Sequence, residues 1–503
     1  MAWWWWLLVQ LLVWCCAGVV ALLWWMWVTR PQVDIPGPPT WPIIGNVLDL
    51  LEHPLTLQKA RDFHRQYGDL TRFYVGPKLV IMVAHPDDVQ HILVTSKMVE
   101  RDPLTTNVMR VIVGDGLLTL NGSRWKTHRR LINPTFHSEL LGNFLEAFHE
   151  GGLFLSARLA ADSRGGAAPA DVHAAALFAA LRSFCTTGTG VDPDLLIPDD
   201  LSEREVSAIV ADGMTLLQKM MVRPWTRSKA LLRLTPKGRA VFKYLALLRK
   251  RVEEVIAIRS AAKEDGPAKT RQRLLETLVK PGGQTAVPVS EVRDELVTMA
   301  LTATDTTAIC ISYVLAVLAL HPEWQDAARR ELEDVFGEGG DYLRAASLAE
   351  LASLRVLESI IKTLRLFPVV PVLPRMVTED IWLSRGRLLV PKGAMLGVMP
   401  FLTHRLPQFF PDPLTFDPSR FLEGRGGEDH PCSYLPFGLG ARNCVGSQYA
   451  RLEMKVFLAT VLRRLRFLPH SRREDLENAA LSVTLHSIEP IQVYCVPLQE
   501  SGL

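Results

Sequence analysis

The sequence predicts a mainly α-helical fold with small β-sheets at its periphery. From residue 47 onward apolar residues recur mostly at helical spacing, whereas alternating runs are few and short. These runs are LTRFYVG and KLVIMVA within residues 70–84, and LSVTLHS and IQVYCV towards the C-terminus. A chain of 503 residues with 48% hydrophobic content is long and apolar enough to bury a large core.

Composition argues against several classes of protein. The net charge is +3 and 22% of the residues are charged, so the nearly balanced surface gives no reason to expect nucleic-acid binding. The seven cysteines, at positions 15, 16, 185, 310, 432, 444 and 495, include no CxxC pair that would suggest zinc or dithiol redox chemistry. They form no even disulfide framework either, which is typical of a reducing compartment.

The N-terminus predicts a transmembrane anchor within residues 1–30. Residues 2–28 carry no charge, and about 20 apolar residues are enough to span a bilayer. Tryptophans cluster near both ends, where aromatic belts lie in membrane proteins. A cleaved signal peptide is the alternative, but this run exceeds the usual apolar region and no basic segment precedes it. Arg30 follows the run, which places the rest of the chain on the cytosolic side.

Residues 31–46, PQVDIPGPPTWPIIGN, are dense in proline and glycine and predict a stiff, non-helical hinge. A generic linker is the alternative, but the position between anchor and domain favours a device that sets the angle of the domain to the membrane. Residues 47–503 then form one large domain. Within it, residues 160–170 and 261–288 have the composition of loops.

The clearest helix begins at Ser290, a plausible N-cap, and ends at Leu320 before a His-Pro stop. At about 1.5 Å per residue it is about 45 Å long, enough to cross a domain. Its middle is TATDTT, residues 302–307, where core leucines would be expected. The threonines either bond back to helix carbonyls and bend the helix, or Asp305 and Thr306 form an acid and alcohol pair that meets a ligand.

The cysteine loop, residues 436–446 or PFGLGARNCVG, places a thiol directly before a strong helical pattern. Helix dipole and free amides at such a position favour thiolate over thiol at Cys444. Arg442 offers a bidentate donor for a carboxylate near the sulfur. Three glycines permit positive φ and the close approach of something large and flat: Gly438, Gly440 and Gly446.

Three uses of this thiolate are considered. A phosphatase loop would place an arginine six residues after the cysteine, but Ala450 stands there and Arg451 lies one further. An acyl-transfer cysteine needs a histidine, which the loop itself cannot reveal. The third use is axial ligation of haem iron, where thiolate donation favours O–O cleavage.

Five residues of the loop reproduce FxxGxRxCxG, the haem-binding signature of the cytochrome P450 family: Phe437, Gly440, Arg442, Cys444 and Gly446. The chain resembles the family 4 clan of animals, particularly insect members, in GDGLLTLNGSRWKTHRRLINPTFH and FDPSRF. The similarity runs from the hinge to the C-terminus. It implies a cytochrome P450 fold, with haem between the long central helix and the helix that follows the cysteine loop, and Cys444 as the fifth iron ligand.

The resemblance also implies roles for other residues. Asp305 and Thr306 would relay protons during O₂ cleavage, and Ala303 stands where glycine is usual. Residues implied to hold or surround the haem and its propionates are Trp125, Arg129, Arg375, Phe437, Gly438, Arg442, Cys444 and Gly446. The helix of Trp125 and Arg129 is rich in cations, which fits either a solvated basic face or the docking of an acidic reductase.

Two departures from the family pattern matter. Thr302 stands where family 4 fatty-acid hydroxylases often carry a haem-esterifying glutamate, so the resemblance implies noncovalent haem b. Lys362 stands at the glutamate of the E-x-x-R motif, while Arg365 aligns and Arg420 is the arginine of FDPSRF. Loss of that carboxylate leaves two cations facing each other, and breaking a buried ion network typically costs about 3–5 kcal/mol. Glu358 lies two helical turns before Arg365, so its carboxylate is too far along the helix axis to replace the missing one.

The functional expectation is a monooxygenase on the endoplasmic reticulum membrane, with a single span and a cytosolic catalytic domain. It would oxidise a lipophilic small molecule (a fatty acid, terpenoid or xenobiotic) bound near residues 104–118. Since no GxGxxG flavin or nucleotide pattern is found, electrons would come from an NADPH-dependent cytochrome P450 reductase, with cytochrome b5 as a second donor. A peroxide isomerase or dehydratase has little need of Asp305 and Thr306. A catalytically impaired haem-binding relative is the remaining alternative, supported by Lys362.

Overall fold

The computed structural model describes residues 2–50, 56–96, 98–196, 201–261, 273–280, 282–337, 343–422 and 430–498. Helices form most of it, as the sequence predicts. The α-helices are α1 (Ala2–Val28), α2 (Val47–Leu50), α3 (Leu57–Tyr67), α4 (Pro86–Gln90), α5 (Pro103–Val113), α6 (Gly122–Ile132), α7 (Ser138–Leu141), α8 (Leu145–Ser163), α9 (Val172–Phe184), α10 (Glu203–Val222), α11 (Lys229–Leu234), α12 (Pro236–Ala261), α13 (Leu274–Leu278), α14 (Val289–Leu320), α15 (Pro322–Phe336), α16 (Leu348–Ser353), α17 (Arg355–Lys362), α18 (Pro400–Thr403), α19 (Ser419–Leu422), α20 (Ser447–Leu462) and α21 (Arg473–Glu477).

Short strands form four small sheets. The strands are β1 (Leu70–Val75), β2 (Lys78–Val83), β3 (Ala170–Asp171), β4 (Leu373–Met376), β5 (Ile381–Leu383), β6 (Leu388–Val390), β7 (Met395–Val398), β8 (Leu465–Pro469), β9 (Ala479–Leu481), β10 (Leu485–Ser487) and β11 (Gln492–Pro497). The largest sheet has the order β1-β2-β7-β4, in which only β2 and β7 run parallel. The others are β3-β11-β8, β9-β10 and β5-β6. The alternating runs of the sequence thus form strands, each in its predicted region.

The core is built around α14, which packs against α9, α12 and α20, while α8 packs against α9 and α20. Most of α14 is buried, so its apolar residues face neighbouring helices on nearly all sides. A long helix that is apolar all round is stable only when it is surrounded in this way. α14 therefore fixes the middle of the domain, and the residues of its TATDTT segment take their positions from it.

The N-terminal helix α1 is different in kind. It is as long and apolar as a membrane span requires, and none of the residues Trp3–Val28 is buried within the protein. α14 also has the length and hydropathy of a span, but it is mostly buried in the core. Exposure thus separates the two helices that composition alone would treat alike.

Residues 31–46 follow α1 without regular helix or strand, and they contact the large sheet. Tyr74 of β1 donates its hydroxyl to the carbonyl of Pro31 at 2.7 Å. Gly45 has a φ of +67°, and a Cβ at this position would collide with the carbonyl oxygen of Tyr74. The segment thus lies against β1 at both of its ends.

Some boundaries differ from the sequence predictions. The long helix begins at Val289, with Pro288 and not Ser290 at the N-cap. The predicted loop at 160–170 is shorter, since α8 continues to Ser163. The predicted loop at 261–288 contains the helix α13, while its residues 262–272 and 281 lie outside the described ranges. The helix after the cysteine loop ends at Leu462, because Leu465 already belongs to β8.

Candidate functional site

A cavity of about 540 Å³ is lined by α14, the cysteine loop and α20. This is where the resemblance places a cofactor between two helices. α14 contributes residues on one side of its middle turns: Thr298, Met299, Thr302, Ala303, Thr306, Thr307 and Cys310. The loop and α20 contribute Pro436, Phe437, Gly438, Arg442, Asn443, Cys444, Val445, Gly446, Tyr449, Ala450, Arg451 and Met454.

Glycine is required at two positions of the cysteine loop. Gly440 has a φ of +74°, and a Cβ there would collide with the carbonyl oxygen of Leu93. Gly438 has a φ of +67°, which L-residues with side chains rarely adopt. The prediction of positive φ is wrong for Gly446, whose φ is −90° and whose Cβ would meet nothing closer than Phe136 at 3.8 Å. The first two glycines therefore shape the turn, and the third begins α20.

Cys444 opens onto the cavity although it lies deep in the protein. Its backbone N–H donates to the carbonyl of Phe437 at 2.9 Å, which closes the loop. Burial raises the pKa of the Cys444 thiol, and a hydrogen bond with Gly446 and the charge of Arg129 only partly offset this. The expectation that the helix N-terminus favours thiolate is therefore wrong for the protein alone. A bound cation would deprotonate such a thiol.

Six arginines among the described residues line this cavity, and three of them, Arg101, Arg375 and Arg442, are called the cavity arginines. Burial lowers the pKa of each, to about 10 for Arg101, about 9 for Arg375 and about 8 for Arg442. The charge of Arg101 adds to this effect on the other two. A group of buried cations that depress one another's pKa is stabilised by an anion among them.

Arg442 is already held by the protein. Its guanidinium donates to the carbonyls of Val99, Leu117 and Leu120 at 2.8, 3.4 and 2.8 Å and to Asn121 Oδ1 at 2.9 Å. It also stacks over the ring of Trp125, with 3.9 Å from Cζ to the ring centroid. Arg442 and Trp125 therefore form one fixed unit beside the cavity.

Arg375 and Arg101 have more guanidinium N–H groups without an acceptor than Arg442 has. Arg375 donates one hydrogen bond, from Nη1 to the carbonyl of Pro374 at 2.9 Å, and its buried Nε has no partner. Within the described ranges we find no hydrogen bond from the guanidinium of Arg101, and its Nε is also buried without a partner. Unpaired buried donors beside a cavity indicate that an acceptor binds there. Arg101 was missed from the sequence, where it stands in the plain stretch ERDPL with no motif around it.

Arg129 approaches the cysteine loop from α6. Its two terminal nitrogens donate to the backbone carbonyl and side-chain Oδ1 of Asn443, both at 2.7 Å. This bidentate contact joins α6 to the residue next to Cys444. Arg129 and Trp125 both line the cavity, as predicted.

His128 also joins α6 to α14, a role that its position among the cations of α6 did not reveal. Its ring nitrogens lie 2.8 Å from Glu295 and 2.8 Å from Glu291, on the first turns of α14. Burial lowers the pKa of His128, but the two carboxylates outweigh it and the net shift is upward. Glu295 also accepts from the N–H of Leu117 at 2.9 Å. These contacts fix the position of Trp125 and Arg129 relative to α14.

The threonines of α14 agree with part of each interpretation of TATDTT. Thr302, Thr304 and Thr306 each donate to the carbonyl four residues earlier, at 2.8, 2.7 and 2.7 Å. Thr302 and Thr306 nevertheless lie on the cavity side, so their hydroxyl oxygens are open to a ligand there. Back-bonding to the helix and exposure to the cavity thus occur in the same residues.

Asp305 does not lie on the cavity side of α14. Its carboxylate is buried, with Thr484 Oγ1 donating to Oδ2 at 2.9 Å. His173 and His486 stand on its other side. The expectation that Asp305 meets a ligand directly is therefore wrong, although Thr484 lines the cavity and connects the two.

The E-x-x-R region confirms that Arg365 has no carboxylate partner among the described residues. Its Nη1 donates to the carbonyls of His404 and Pro413 at 3.0 and 2.7 Å, and Nη2 donates to that of Thr415 at 3.3 Å. Burial and the nearby Arg420 lower the pKa of Arg365 to about 10. Arg420 itself lies 3.5 Å from Asp417. The two predicted network arginines are thus neighbours, held by carbonyls and by one acid.

Lys362 and Glu358 do not replace the missing acid. Glu358 Oε2 forms an ion pair with Lys455 at 2.9 Å. Lys362 ends α17, and the chain continues as a 3₁₀ helix, Thr363–Leu366, before Phe367. A tighter helix at this point is what one missing residue after Lys362 would produce. The side chain of Thr363 lies outside the described set.

The substrate side of the cavity is largely apolar. Residues 104–118 line it, as predicted, through Leu104, Thr105, Met109, Leu117 and Leu118. The stretch after Phe367 and the turn between β9 and β10 complete it. The cavity therefore combines an apolar wall, a cysteine thiol and unpaired guanidinium groups. A flat, apolar ring carrying two carboxylates and an iron ion fits these donors, so the residues present suit haem.

Comparison with known proteins agrees with this fit. The sequence profile described as Cytochrome P450 matches residues 35–493. The chain is 30% identical over 467 residues to cytochrome P450 4c3 of Drosophila melanogaster, covering 88% of this chain and 85% of the relative. It is 30% identical over 484 residues to the probable cytochrome P450 4s3 of the same species, covering 93% and 92%. Human cytochrome P450 4V2 is 30% identical over 460 residues, covering 86% of each chain.

Proposed function

The chain belongs to the cytochrome P450 family of haem-thiolate monooxygenases, and from this premise we propose that it is a membrane-anchored enzyme that hydroxylates or epoxidises an apolar substrate. The substrate class is a fatty acid, a terpenoid or a xenobiotic. One observation carries the proposal: Cys444, the cavity arginines and the apolar segment 104–118 line the same cavity.

Different residues of the cavity have different roles in holding haem. Cys444 would bind the haem iron, and Arg101 and Arg375 would offer free N–H groups to the haem carboxylates. Arg442 is tied to backbone carbonyls and contributes charge and the stacked Trp125. When bound, haem supplies the activation of O₂ and the transfer of one oxygen atom to the substrate.

The polar residues of α14 position and move protons. The hydroxyl of Thr306 donates to the carbonyl of Thr302 and keeps its oxygen lone pairs towards the cavity, so it can accept a hydrogen bond from a ligand and pass a proton on. Asp305 acts from behind α14 through Thr484 Oγ1, which lies between its carboxylate and the cavity. The surrounding apolar wall excludes water, which confines proton delivery to these hydroxyls.

Haem b is held without a covalent bond. Thr302 lines the cavity at the position where some relatives carry an esterifying glutamate, and a hydroxyl that donates to the carbonyl of Thr298 offers no carboxylate for ester formation. The cofactor is therefore retained by Cys444, by charge and by apolar contacts, without an ester bond.

Electrons come from an NADPH-dependent cytochrome P450 reductase, with cytochrome b5 as a second donor. Three cations are exposed on α6 and at the start of α20, next to the cysteine loop: Lys126, Arg130 and Arg451. An acidic partner surface is attracted to such a patch, and its association weakens as salt rises.

The enzyme resides in the endoplasmic reticulum membrane. Residues 1–30 contain α1 as a single span, residues 31–46 attach it to β1, and residues 47–503 form the catalytic domain on the cytosolic side. Arg30 lies over the ring of Trp27, 3.1 Å from Cζ to the centroid, and places a positive charge at the domain end of the span.

The test is the carbon monoxide difference spectrum of the reduced full-length protein, followed by NADPH oxidation with reductase and a fatty-acid and terpenoid panel. We expect the band of a thiolate-ligated haem and substrate-dependent turnover, and Cys444→Ser should abolish that band. A thiol-ligated band in the wild type would contradict the proposal.

The same assay tests the impaired alternative, which rests on the absence of a carboxylate near Arg365. Insertion of a glutamate after Lys362 gives the decisive variant, whose turnover is compared with that of the wild type. Turnover in the inserted variant alone would identify the chain as an impaired relative, whereas equal turnover in both would exclude this.

A further inference from the structure

Two histidines and an aspartate from distant parts of the chain meet behind α14. His173 lies in the first turn of α9, Asp305 in the middle of α14 and His486 on β10. Their ligand atoms all lie within 4.8 Å of one another. We call these three residues the His-Asp cluster, and we propose that it binds a divalent transition-metal ion such as Zn²⁺, separate from the haem.

The distances in the cluster fit a metal better than a direct ion pair. Asp305 Oδ1 lies 3.6 Å from His173 Nε2 and 3.4 Å from His486 Nε2. Charge-assisted N–H···O bonds are about 2.7–2.9 Å long. Ligands about 2.0–2.1 Å from a tetrahedral metal stand about 3.3–3.4 Å apart.

The protein itself provides the contrast. His128 lies between Glu291 and Glu295 with both N···O distances at 2.8 Å, as expected of an imidazolium bonded to two carboxylates. The His-Asp cluster has the same kinds of group but holds them wider apart. His486 Nε2 also lies 3.1 Å from Thr484 Oγ1, so an ion in the space between the three ligand atoms would replace that contact.

Two buried atoms of the cluster lack hydrogen-bond partners: Asp305 Oδ1 and His173 Nε2. Asp305 has only 1% of its surface exposed, so water does not compensate its carboxylate from bulk solvent. An unpaired carboxylate oxygen in such a place is costly, and coordination to a metal would satisfy it.

The other atoms around the cluster orient its ligands. Ser207 Oγ lies 3.2 Å from His173 Nδ1 and can hold the proton there, which leaves the Nε2 lone pair towards Asp305. Thr484 donates to Asp305 Oδ2, which leaves Oδ1 for the ion. The His173 and His486 side chains keep 17% and 15% of their surface exposed, which provides an entry path and room for a water ligand.

Two imidazoles and one carboxylate are a ligand set that Zn²⁺ accepts with one open position. An ion there would link α9, α14 and β10, which are far apart in the sequence, and would therefore stabilise the folded chain.

The experiment uses the full-length holoprotein, stripped with a chelator, desalted and titrated with Zn²⁺ against a fluorescent chelator. We expect one high-affinity zinc per chain in the wild type and in the surface control His470→Gln. The variants His173→Gln and His486→Gln should each weaken binding by about tenfold or more, and Ser207→Ala by a smaller factor. Equal zinc binding by the wild type and the double variant H173Q/H486Q would overturn the proposal.

A second measurement needs no variant. X-ray absorption at the zinc edge of the loaded wild type should show two imidazole nitrogens in the first shell at about 2.0 Å. A shell containing sulfur, or oxygen alone, would place the zinc elsewhere and overturn the assignment. The carbon monoxide difference spectrum of each variant checks that its haem site is intact.

Discussion

Two groups of buried arginines differ in what their guanidinium groups contact. The cavity arginines keep donors unpaired beside a wide cavity, at Arg101 and Arg375 above all. The deep arginines, defined as Arg365, Arg405 and Arg420, instead direct their terminal nitrogens mainly to backbone carbonyls, and Arg420 also lies 3.5 Å from Asp417. Arg365 borders the cavity as well, and each of the three has a buried Nε without a partner among the described residues, so the difference lies in the terminal nitrogens. Arg365 and Arg405 also lie over the rings of Phe410 and Phe401.

The difference shows how arginines that bind a ligand can be distinguished from arginines that have lost a carboxylate partner within the protein. A buried cation that faces free space with idle donors needs an anion from outside the chain. A buried cation whose donors reach carbonyls has been accommodated by the fold, at the cost of weaker, uncharged acceptors. Lys362 stands at the position where a carboxylate would have served the deep arginines.

The largest expected effect comes from removing the charges of two cavity arginines. The double variant Arg101→Leu/Arg375→Leu should lower haem retention by about tenfold or more, because the propionates lose charged donors in a buried place. The measurement is the haem-to-protein ratio after gel filtration. The matched control is Arg385→Leu, an exposed arginine paired with Asp87 outside the cavity. Full haem retention by the double variant would break the distinction between the two groups.

Adding a carboxylate to the second group should have the next largest effect. Lys362→Glu removes a cation and supplies an acid near Arg365, so we expect stabilisation of about 1–3 kcal/mol. The control Lys362→Gln removes the cation without adding the acid. Thermal unfolding of both holoproteins makes the comparison. If both variants shift the melting temperature equally, the deep arginines do not lack an anion.

Glu453 is the opposite case, a buried acid for which we find no cationic partner among the described residues. It lies in α20, and Thr307 Oγ1 lies 2.9 Å from its Oε2. Burial raises the pKa of Glu453 to about 8, although the Thr307 bond opposes this. The folded protein therefore holds a proton that the unfolded chain releases near its ordinary pKa of 4.5.

It follows that stability falls as pH rises from about 4.5 to 8, by on the order of 1 kcal/mol per pH unit, and then levels off. Glu453→Gln keeps the hydrogen bond without the charge and should lose this pH dependence. Melting temperatures between pH 5 and 9 test it. Parallel curves for wild type and variant would show that Glu453 is ionised in the folded state and is not a neutral acid.

The smallest effect on stability is expected at Thr302. Haem from the wild type should extract fully into acidified organic solvent. Thr302→Glu should retain part of its haem after turnover, because an ester can form at that position of the cavity. The control Thr302→Gln has the same length but cannot form the ester. Haem that resists extraction from the wild type would contradict noncovalent retention.

Several features could be predicted from the sequence because their signals are local. The charge-free N-terminal run, the long helix and the cysteine loop each occupy one continuous stretch, and the structure shows α1, α14 and a loop with Gly438 and Gly440 in positive φ. Other features depend on distant segments. Arg101 lines the cavity only because the fold brings its segment beside Arg375 and Arg442.

The sequence by itself determined the family, the thiol and the missing acid at Lys362, since each is a matter of residue type at a fixed spacing. Only the tertiary structure decided what Asp305 and Thr306 face. Neighbours on an α-helix point about 100° apart, so Thr306 lines the cavity while Asp305 turns to His173 and His486. Which side of a buried helix meets a ligand depends on what packs around it, and that information is spread over the whole chain.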